Sequence, residues 1–383
     1  MVSEEVPRLL TPPRQSFFLF GPRGTGKSTW VRRHFSTALQ VNLLDEGLYQ
    51  ELLARPAGFA DRLRVAKRGS WVCVDEVQRI PGLLNEVHRA IEEQHLKFVL
   101  LGSSARKLRR AGVNLLAGRA LRRSMHPFLP MELGARFSLR HALEVGTLPI
   151  VLASESPEQT LQAYVQSYLK EEIQAEALVR NLGGFARFLQ IAAVMHGQVV
   201  NAAGLARDAG VSRTTVNDYL DVLDDTLLTF RLPGYEARLR IRERKHPRLY
   251  WVDPGVVRAA KQQLGPVAIE ERGALFEGLV ATLLRGWNDY RGLYDSISYW
   301  APTEGRLEVD FLLQRGKRFI AIEVKSGKAL RSDDLAGLKA IESLAGLERR
   351  LIVYPEIGTM KTQQGIEVLS FEKLVDLLET QSL

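Results

Sequence analysis

The chain has 383 residues, 45% of them hydrophobic and 25% charged, and a formal net charge of +8. That length leaves room for two or three globular domains, and no apolar run approaches the roughly 18 residues that would suggest a membrane span. The single cysteine, Cys73, excludes a disulfide framework and a cysteine-rich zinc site. The opening MVSEEVPRLLTPPRQS has no apolar core, so it does not read as a signal peptide, and a cytoplasmic location without membrane contact is expected.

From Ser16 to about Pro130, the short apolar runs FFLFG, LQVNLL, WVCVDE and KFVLLGSS alternate with amphipathic stretches. Runs of this length bounded by turn residues suit strands buried on both faces of a parallel sheet, so this block reads as α/β. Between its first strand and first helix lies Gly21, Pro22, Arg23, Gly24, Thr25, Gly26, Lys27, Ser28 and Thr29, the pattern G-x-x-x-x-G-K-[ST]. Glycines let such a backbone wrap phosphates with its N–H groups inward, and the following helix dipole adds favourable potential. Lys27 is expected to meet the β and γ phosphates of ATP and Ser28 to ligate Mg²⁺, while Thr29 continues the helix. The run Trp71 to Asp75-Glu76 delivers two acids to a strand end: Asp75 to hold Mg²⁺, largely through water, and Glu76 to orient or deprotonate the attacking water. Ser103 or Ser104, closing the KFVLLGSS strand, is either a γ-phosphate sensor or a plain polar strand end. Phosphoryl transfer also gains from an arginine of the same or a neighbouring subunit. Arg119 is the candidate, with Arg106, Arg122 and Arg123 as competitors.

The middle block, residues 151–265, is helical at first, in LQAYVQSYLKEEIQAEAL and GFARFLQIAAVMHG. NAAGLARDAGVSRTTVNDYLDVLDDTLL then has the cadence of helix, tight turn, helix, with Gly210 at the turn and Ser212 as cap of the second helix. A hairpin after it would complete a winged helix. The early positions of the second helix, Ser212, Arg213, Thr214, Thr215 and Asn217, are candidates to face DNA, and Arg238, Arg240, Arg242, Arg244 and Lys245 would lie on the wing against the phosphate backbone. Against this, Asp218, Asp221, Asp224 and Asp225 would repel DNA if they shared the groove-facing side, and such modules also dock proteins. The arginine-rich runs from Arg106 to Arg123 and from Arg238 to Arg248 are either part of a nucleic-acid surface or solvated faces.

Residues 266–383 return to α/β. There Glu308-Val-Asp310 is followed by Glu323-Val-Lys325, which resembles the PD-(D/E)XK nuclease core, with Val309 where the motif's proline would stand. Side chains two apart on a strand share a face, so Glu323 and Lys325 are expected to turn together toward Asp310. The resemblance implies that Asp310 and Glu323 bind one or two Mg²⁺ ions, that Glu277 on the preceding helix adds an acid, and that Lys325 stabilises developing charge. Half-buried edge strands would show the same alternation, and a nuclease fold kept as a non-cleaving platform is a third reading.

Taken together, GPRGTGKST, VDEVQRIPGLLNEVHRAIEE, KFVLLGSSARKL, LLAGRALRRSMHPFLPMEL, YVQSYLKEEI and KHPRLYWVD resemble the bacterial and archaeal AAA+ ATPases that carry a C-terminal nuclease-like domain. The resemblance covers essentially the whole chain. It implies an AAA+ P-loop parallel sheet in residues 1–150, an all-α/winged-helix domain in 151–265 and an α/β restriction-endonuclease-like domain in 266–383. It also implies ATP and Mg²⁺ as ligands and a homo-oligomer, such as a hexameric ring, in which an arginine reaches a neighbour's nucleotide. The expected function is ATP-driven processing of DNA, branched or single-stranded forms included. The alternatives are a nucleotide switch that docks proteins and a DNA-binding ATPase with a silent nuclease fold.

Overall fold

The computed structural model describes residues 6–102, 116, 118–168, 182–236, 243–304 and 307–383. One compact unit comprises Pro7–Pro127 with Asp225–Leu227, and a second comprises Phe128–Asp224 with Leu228–Leu383.

The first unit is built on a five-stranded parallel sheet in the order β2-β3-β4-β1-β5, formed by β1 (Phe17–Phe20), β2 (Leu39–Asn42), β3 (Trp71–Asp75), β4 (Lys97–Gly102) and β5 (Leu121–Ser124). Every residue of β1 is buried, as a strand covered on both faces requires. One face meets the Leu83–Gln94 helix, whose Leu83, Leu84, Val87 and Ala90 fall on one stripe and join Phe18, Val72, Val74 and Leu100 in a single apolar core. On the other face Phe17, Trp30, Phe35 and Trp71 form an aromatic cluster in which Phe17 meets Trp30 and Trp71 edge to face, with the Phe35 and Trp71 rings 4.7 Å apart. The fifth strand is a departure from the sequence reading, which took LAGRALRR as a basic run and the source of a catalytic arginine but not as a strand. The backbone of Leu121–Ser124 instead pairs with β1, and Arg122 lies over the Phe20 ring at 5.7 Å.

In the second unit, the Ala202–Ala209 helix ends on Gly210 in the left-handed region (φ 67°), and the Arg213–Asp225 helix starts from Ser212, whose hydroxyl accepts the Thr215 N–H at 3.0 Å. A three-stranded antiparallel sheet accompanies this pair in the order β6-β8-β7, from β6 (Gln198–Val199), β7 (Thr229–Leu232) and β8 (Arg248–Trp251). The expected long helix around LQAYVQSYLKEEIQAEAL is described only through Tyr168, and its remainder lies outside the described residues.

The C-terminal part is a six-stranded sheet in the order β13-β14-β12-β11-β10-β9. Its strands are β9 (Ser296–Trp300), β10 (Val309–Arg315), β11 (Arg318–Val324), β12 (Leu347–Tyr354), β13 (Met360–Lys361) and β14 (Glu367–Ser370). The β9-β10-β11 meander is antiparallel, whereas β11, β12 and β14 run parallel. The Ile269–Arg291 helix, buried along Leu275, Phe276, Leu279, Val280, Leu283 and Leu284, packs against this sheet and β8. DDLAGLKAIESL forms a 3-10 turn at Ser332–Leu335 and is α-helical only over Ala336–Ala340, where the backbone at Gly337 approaches the Glu308 carbonyl so closely that a Cβ would lie 1.7 Å from its oxygen. Among the described residues no helix is long and apolar enough to cross a membrane.

Candidate functional site

Two clusters of chemically capable side chains stand out, one in each unit. In the first unit, β1 runs directly into the Gly21–Thr29 loop and the Lys27–His34 helix. Gly24 and Gly26 hold φ of 78° and 85°, a region that disfavours any side chain, and a Cβ on Gly21 would lie 2.4 Å from the Met125 carbonyl oxygen. Lys27 is buried, and its ammonium donates to the carbonyls of Gly21 at 2.7 Å and Pro22 at 3.0 Å, so its charge lies inside the turn. Thr25 closes the turn by donating its hydroxyl to the Pro22 carbonyl at 2.8 Å.

Alongside, β3 brings Asp75 to the same edge. The Ser28 hydroxyl donates to Asp75 Oδ2 at 2.7 Å, while Asp75 Oδ1 accepts the Glu76 N–H at 3.0 Å. Glu76 adopts φ 56°, an unfavourable conformation for a residue with a side chain and one that recurs where function fixes the backbone. Its carboxylate accepts a hydrogen bond from the Gln78 amide, and Gln78 is itself buried beneath Gly102, where an added Cβ would meet Gln78 Oε1 at 2.5 Å. Gln78 was not among the residues expected from sequence, although a polar side chain two places after an acid pair is a usable signal. The oxygen donors of Ser28 and Asp75, already in contact beside a lysine-lined turn, fit a hard cation such as Mg²⁺.

The remaining candidates of this block are not drawn together. Arg119 ion-pairs with Glu92 of the Leu83–Gln94 helix, both side chains partly exposed. Arg123 donates to the Arg122 carbonyl at 3.4 Å. Ser103, Ser104 and Arg106 lie outside the described residues.

The second cluster is centred on a residue that sequence reading had left at the end of a basic run. Arg248, on β8, is 5% exposed, and its guanidinium donates to Asp310 Oδ1 at 3.0 Å, to Glu277 Oε1 at 3.1 Å and to Glu308 Oε2 at 2.5 Å. It also stacks over the Tyr299 ring at 4.8 Å. Tyr250, two places on and hence on the same face of β8, donates its hydroxyl to Glu277 Oε1 at 2.5 Å. Asp310 Oδ2 accepts the Val324 N–H at 2.9 Å, and Lys325 ion-pairs with Glu323 as the E-x-K spacing predicts. Burial, with the Asp310 charge as second cause, holds the Glu277 and Glu323 carboxyls above the ordinary carboxylate range. Burial works against the Arg248 and Lys325 charges too, but the surrounding acids outweigh it and both stay protonated.

Sequence reading expected Glu277, Asp310 and Glu323 to be metal ligands. Oxygens of all three are engaged by protein donors, and a guanidinium stands between Glu277 and Asp310. Among the described residues no group of three or more His, Cys, Asp or Glu side chains is disposed to hold a metal ion. A divalent ion does not fit the cluster in this arrangement.

Of the candidate DNA contacts, Arg213, Thr214 and Asn217 are exposed on the Arg213–Asp225 helix, and the half-buried Thr215 shares a hydrogen bond with the Ser212 hydroxyl at 2.8 Å. Asp221 and Asp224 both ion-pair with Arg231. The described ends of the segment between β7 and β8 lie along β9 and its extension: Tyr235 N–H donates to the Tyr299 carbonyl at 2.7 Å and Arg244 N–H to the Ala301 carbonyl at 2.9 Å. Lys245 pairs with Glu236 at 3.0 Å. Arg238, Arg240 and Arg242 lie outside the described residues.

Comparison with known proteins places an AAA domain at residues 13–133, a domain of unknown function (DUF8612) at 136–266 and another (DUF4143) at 272–374. The uncharacterized protein Rv2008c of Mycobacterium tuberculosis is 26% identical over 345 residues, 88% of this chain and 76% of its own length. The uncharacterized protein Mb2031c of Mycobacterium bovis matches with the same identity and coverage. Among solved structures, protein VC1899 from Vibrio cholerae aligns over 96% of this chain and 97% of its own, at 14% identity and a TM-score of 0.24.

Proposed function

We propose that the AAA-type domain at residues 13–133 hydrolyses ATP with magnesium and that the second unit couples this turnover to DNA. The observation that carries the first half is the 2.7 Å hydrogen bond from Ser28 to Asp75, which joins the phosphate loop to the acid-tipped strand beside the buried Lys27 ammonium. Lys27 would bind the β and γ phosphates, and Ser28 and Asp75 would hold the metal, which when bound neutralises phosphate charge. Glu76, set in its left-handed conformation and hydrogen-bonded by Gln78, is the group to accept a proton from the attacking water. In an oligomer, Arg119 would have to exchange Glu92 for a neighbour's γ-phosphate.

The DNA half is supported by the exposed face of Arg213, Thr214 and Asn217 and by Arg231, which neutralises two of the aspartates expected to repel a phosphate backbone. The strand order β6-β8-β7 after a helix-turn-helix supports the winged-helix reading. Two observations favour the protein-docking switch instead: the ends of the wing segment run along β9, and Lys245 is already paired.

An ATPase assay with and without duplex, single-stranded and branched DNA separates these readings. Lys27→Ala should lower turnover by about 100-fold or more, the scale of losing one preorganised charge contact. Glu76→Gln should retain ATP yet turn over about 100-fold or more slowly. Unchanged hydrolysis in Lys27→Ala refutes the site. Hydrolysis indifferent to every DNA form, with no DNA retained at low salt, removes the DNA reading and leaves the switch.

A further inference from the structure

We propose that the C-terminal carboxylate cluster is a seat for the chain's own guanidinium: Arg248 is its resident cation, and while Arg248 sits there the cluster takes no divalent metal ion. The inference is independent of ATP hydrolysis.

A planar guanidinium matches carboxylates with a fork of donors, so it can serve several acids at once. Arg248 does this for Glu277 from the Ile269–Arg291 helix and for Glu308 and Asp310 at the start of β10. It arrives from the opposite side on β8, with Pro247 and His246 before it and Tyr250 beyond. Tyr250 repeats the contact to Glu277, so two successive inward positions of β8 face the same acid. The backbone of the preceding segment fixes the approach: the Tyr299 hydroxyl donates to the His246 carbonyl while the Tyr299 ring lies under the guanidinium.

The oxygen inventory shows why a metal is displaced. Asp310 spends one oxygen on Arg248 and the other on the Val324 N–H; Glu277 gives Oε1 to both Arg248 and Tyr250; Glu323 gives Oε1 to Lys325. Glu323 Oε2 is buried without a hydrogen-bond partner. Asp310 thus has both oxygens engaged, and a dication held by the remaining oxygens of Glu277, Glu308 and Glu323 would lie beside the Arg248 guanidinium and be repelled. Removing Arg248 changes that at once: three acids would be left facing one another, the arrangement a divalent ion stabilises. The arginine is therefore a latch between the sheet of the helix-turn-helix module and the C-terminal sheet, made from a site that could otherwise bind metal.

The test uses the full chain without nucleotide, in an Asp75→Asn background so that the phosphate loop contributes no metal site, with Mn²⁺ titrated and followed by electron paramagnetic resonance. The parent should show no Mn²⁺ binding that depends on Asp310. Arg248→Met should gain one equivalent, at least tenfold tighter than any site in the parent and abolished by adding Asp310→Asn. Millimolar Mn²⁺ should raise the Tm of Arg248→Met and leave that of the parent unmoved. Mn²⁺ bound by the parent and lost with Asp310→Asn overturns the proposal, as does a folded Arg248→Met, verified by circular dichroism, that gains no Asp310-dependent site. If Arg248→Met does not fold, the parent with and without Asp310→Asn decides alone: Asp310-dependent binding sinks the proposal, and its absence upholds it.

Discussion

His196 illustrates how one buried side chain sets a measurable property. It is 1% exposed, and its Nδ1 accepts the Trp251 N–H at 3.1 Å, which places the ring proton on Nε2, an atom with no hydrogen-bond partner. Burial pushes its pKa from the ordinary 6.5 down to about 3. Between those values the unfolded chain binds a proton that the folded chain refuses, so stability is complete above about pH 6.5 and declines as pH falls toward 3, by about 1.4 kcal/mol per pH unit. Urea unfolding of wild type and His196→Asn at pH 7.5 and pH 5.5 checks this: the wild type should lose about 1 kcal/mol more than the variant over that interval. Equal losses would mean that the imidazole is protonated in the fold. Gln78 offers a second test at this scale. Gln78→Ala should leave ATP affinity near wild type and slow turnover, while Gln78→Glu, which sets a second acid beside Glu76, should slow it further. Loss of ATP affinity with unchanged turnover would contradict a role in positioning Glu76.

At the scale of elements, helix propensity and packing make opposite predictions for Gly278. In the interior of the Ile269–Arg291 helix, Ala in place of Gly should stabilise by about 1 kcal/mol. A Cβ there, however, would lie 1.9 Å from His196 Nε2, an atom of a fully buried ring and not of a flexible chain end. Overpacking of this kind costs about 1–3 kcal/mol or more, so Gly278→Ala should be net destabilising, and thermal unfolding should show a lower Tm. A higher Tm would mean that the ring yields. The helix-turn-helix pair gives a simpler expectation: Ser212→Ala removes the acceptor of the Thr215 N–H and should cost about 1 kcal/mol, read from urea midpoints. On the DNA reading, Arg213→Ala should weaken duplex binding and reduce the salt slope by about 1, measured as the dependence of log Kd on log salt.

For the whole molecule, the division into two compact units predicts separate responses to ligand. In calorimetry, Mg²⁺ with a non-hydrolysable ATP analogue should stabilise the phosphate-loop unit, by about 2.7 kcal/mol at a concentration 100 times Kd, and leave the transition of the other unit in place. A uniform shift of all unfolding signal would mean that the chain unfolds as one cooperative body. Much of the first unit was legible in advance because a phosphate loop is a local object. Its strand, its glycines at positive φ, its lysine and its hydroxyl follow one another in the chain, so spacing alone specifies them. The same holds for the turn at Gly210 and the cap at Ser212. What sequence could not supply was which charges meet. Arg248 is separated by 29 residues from Glu277, by 60 from Glu308 and by 62 from Asp310. No periodicity records such a meeting: in the sequence Arg248 only closes a basic run, while Glu277 and Asp310 read as members of a metal-binding acid set. Only the packing of β8 against the long helix and β10 decided that the acids hold a guanidinium, because burial requires each charge to find a partner and the fold determines which partner lies within reach.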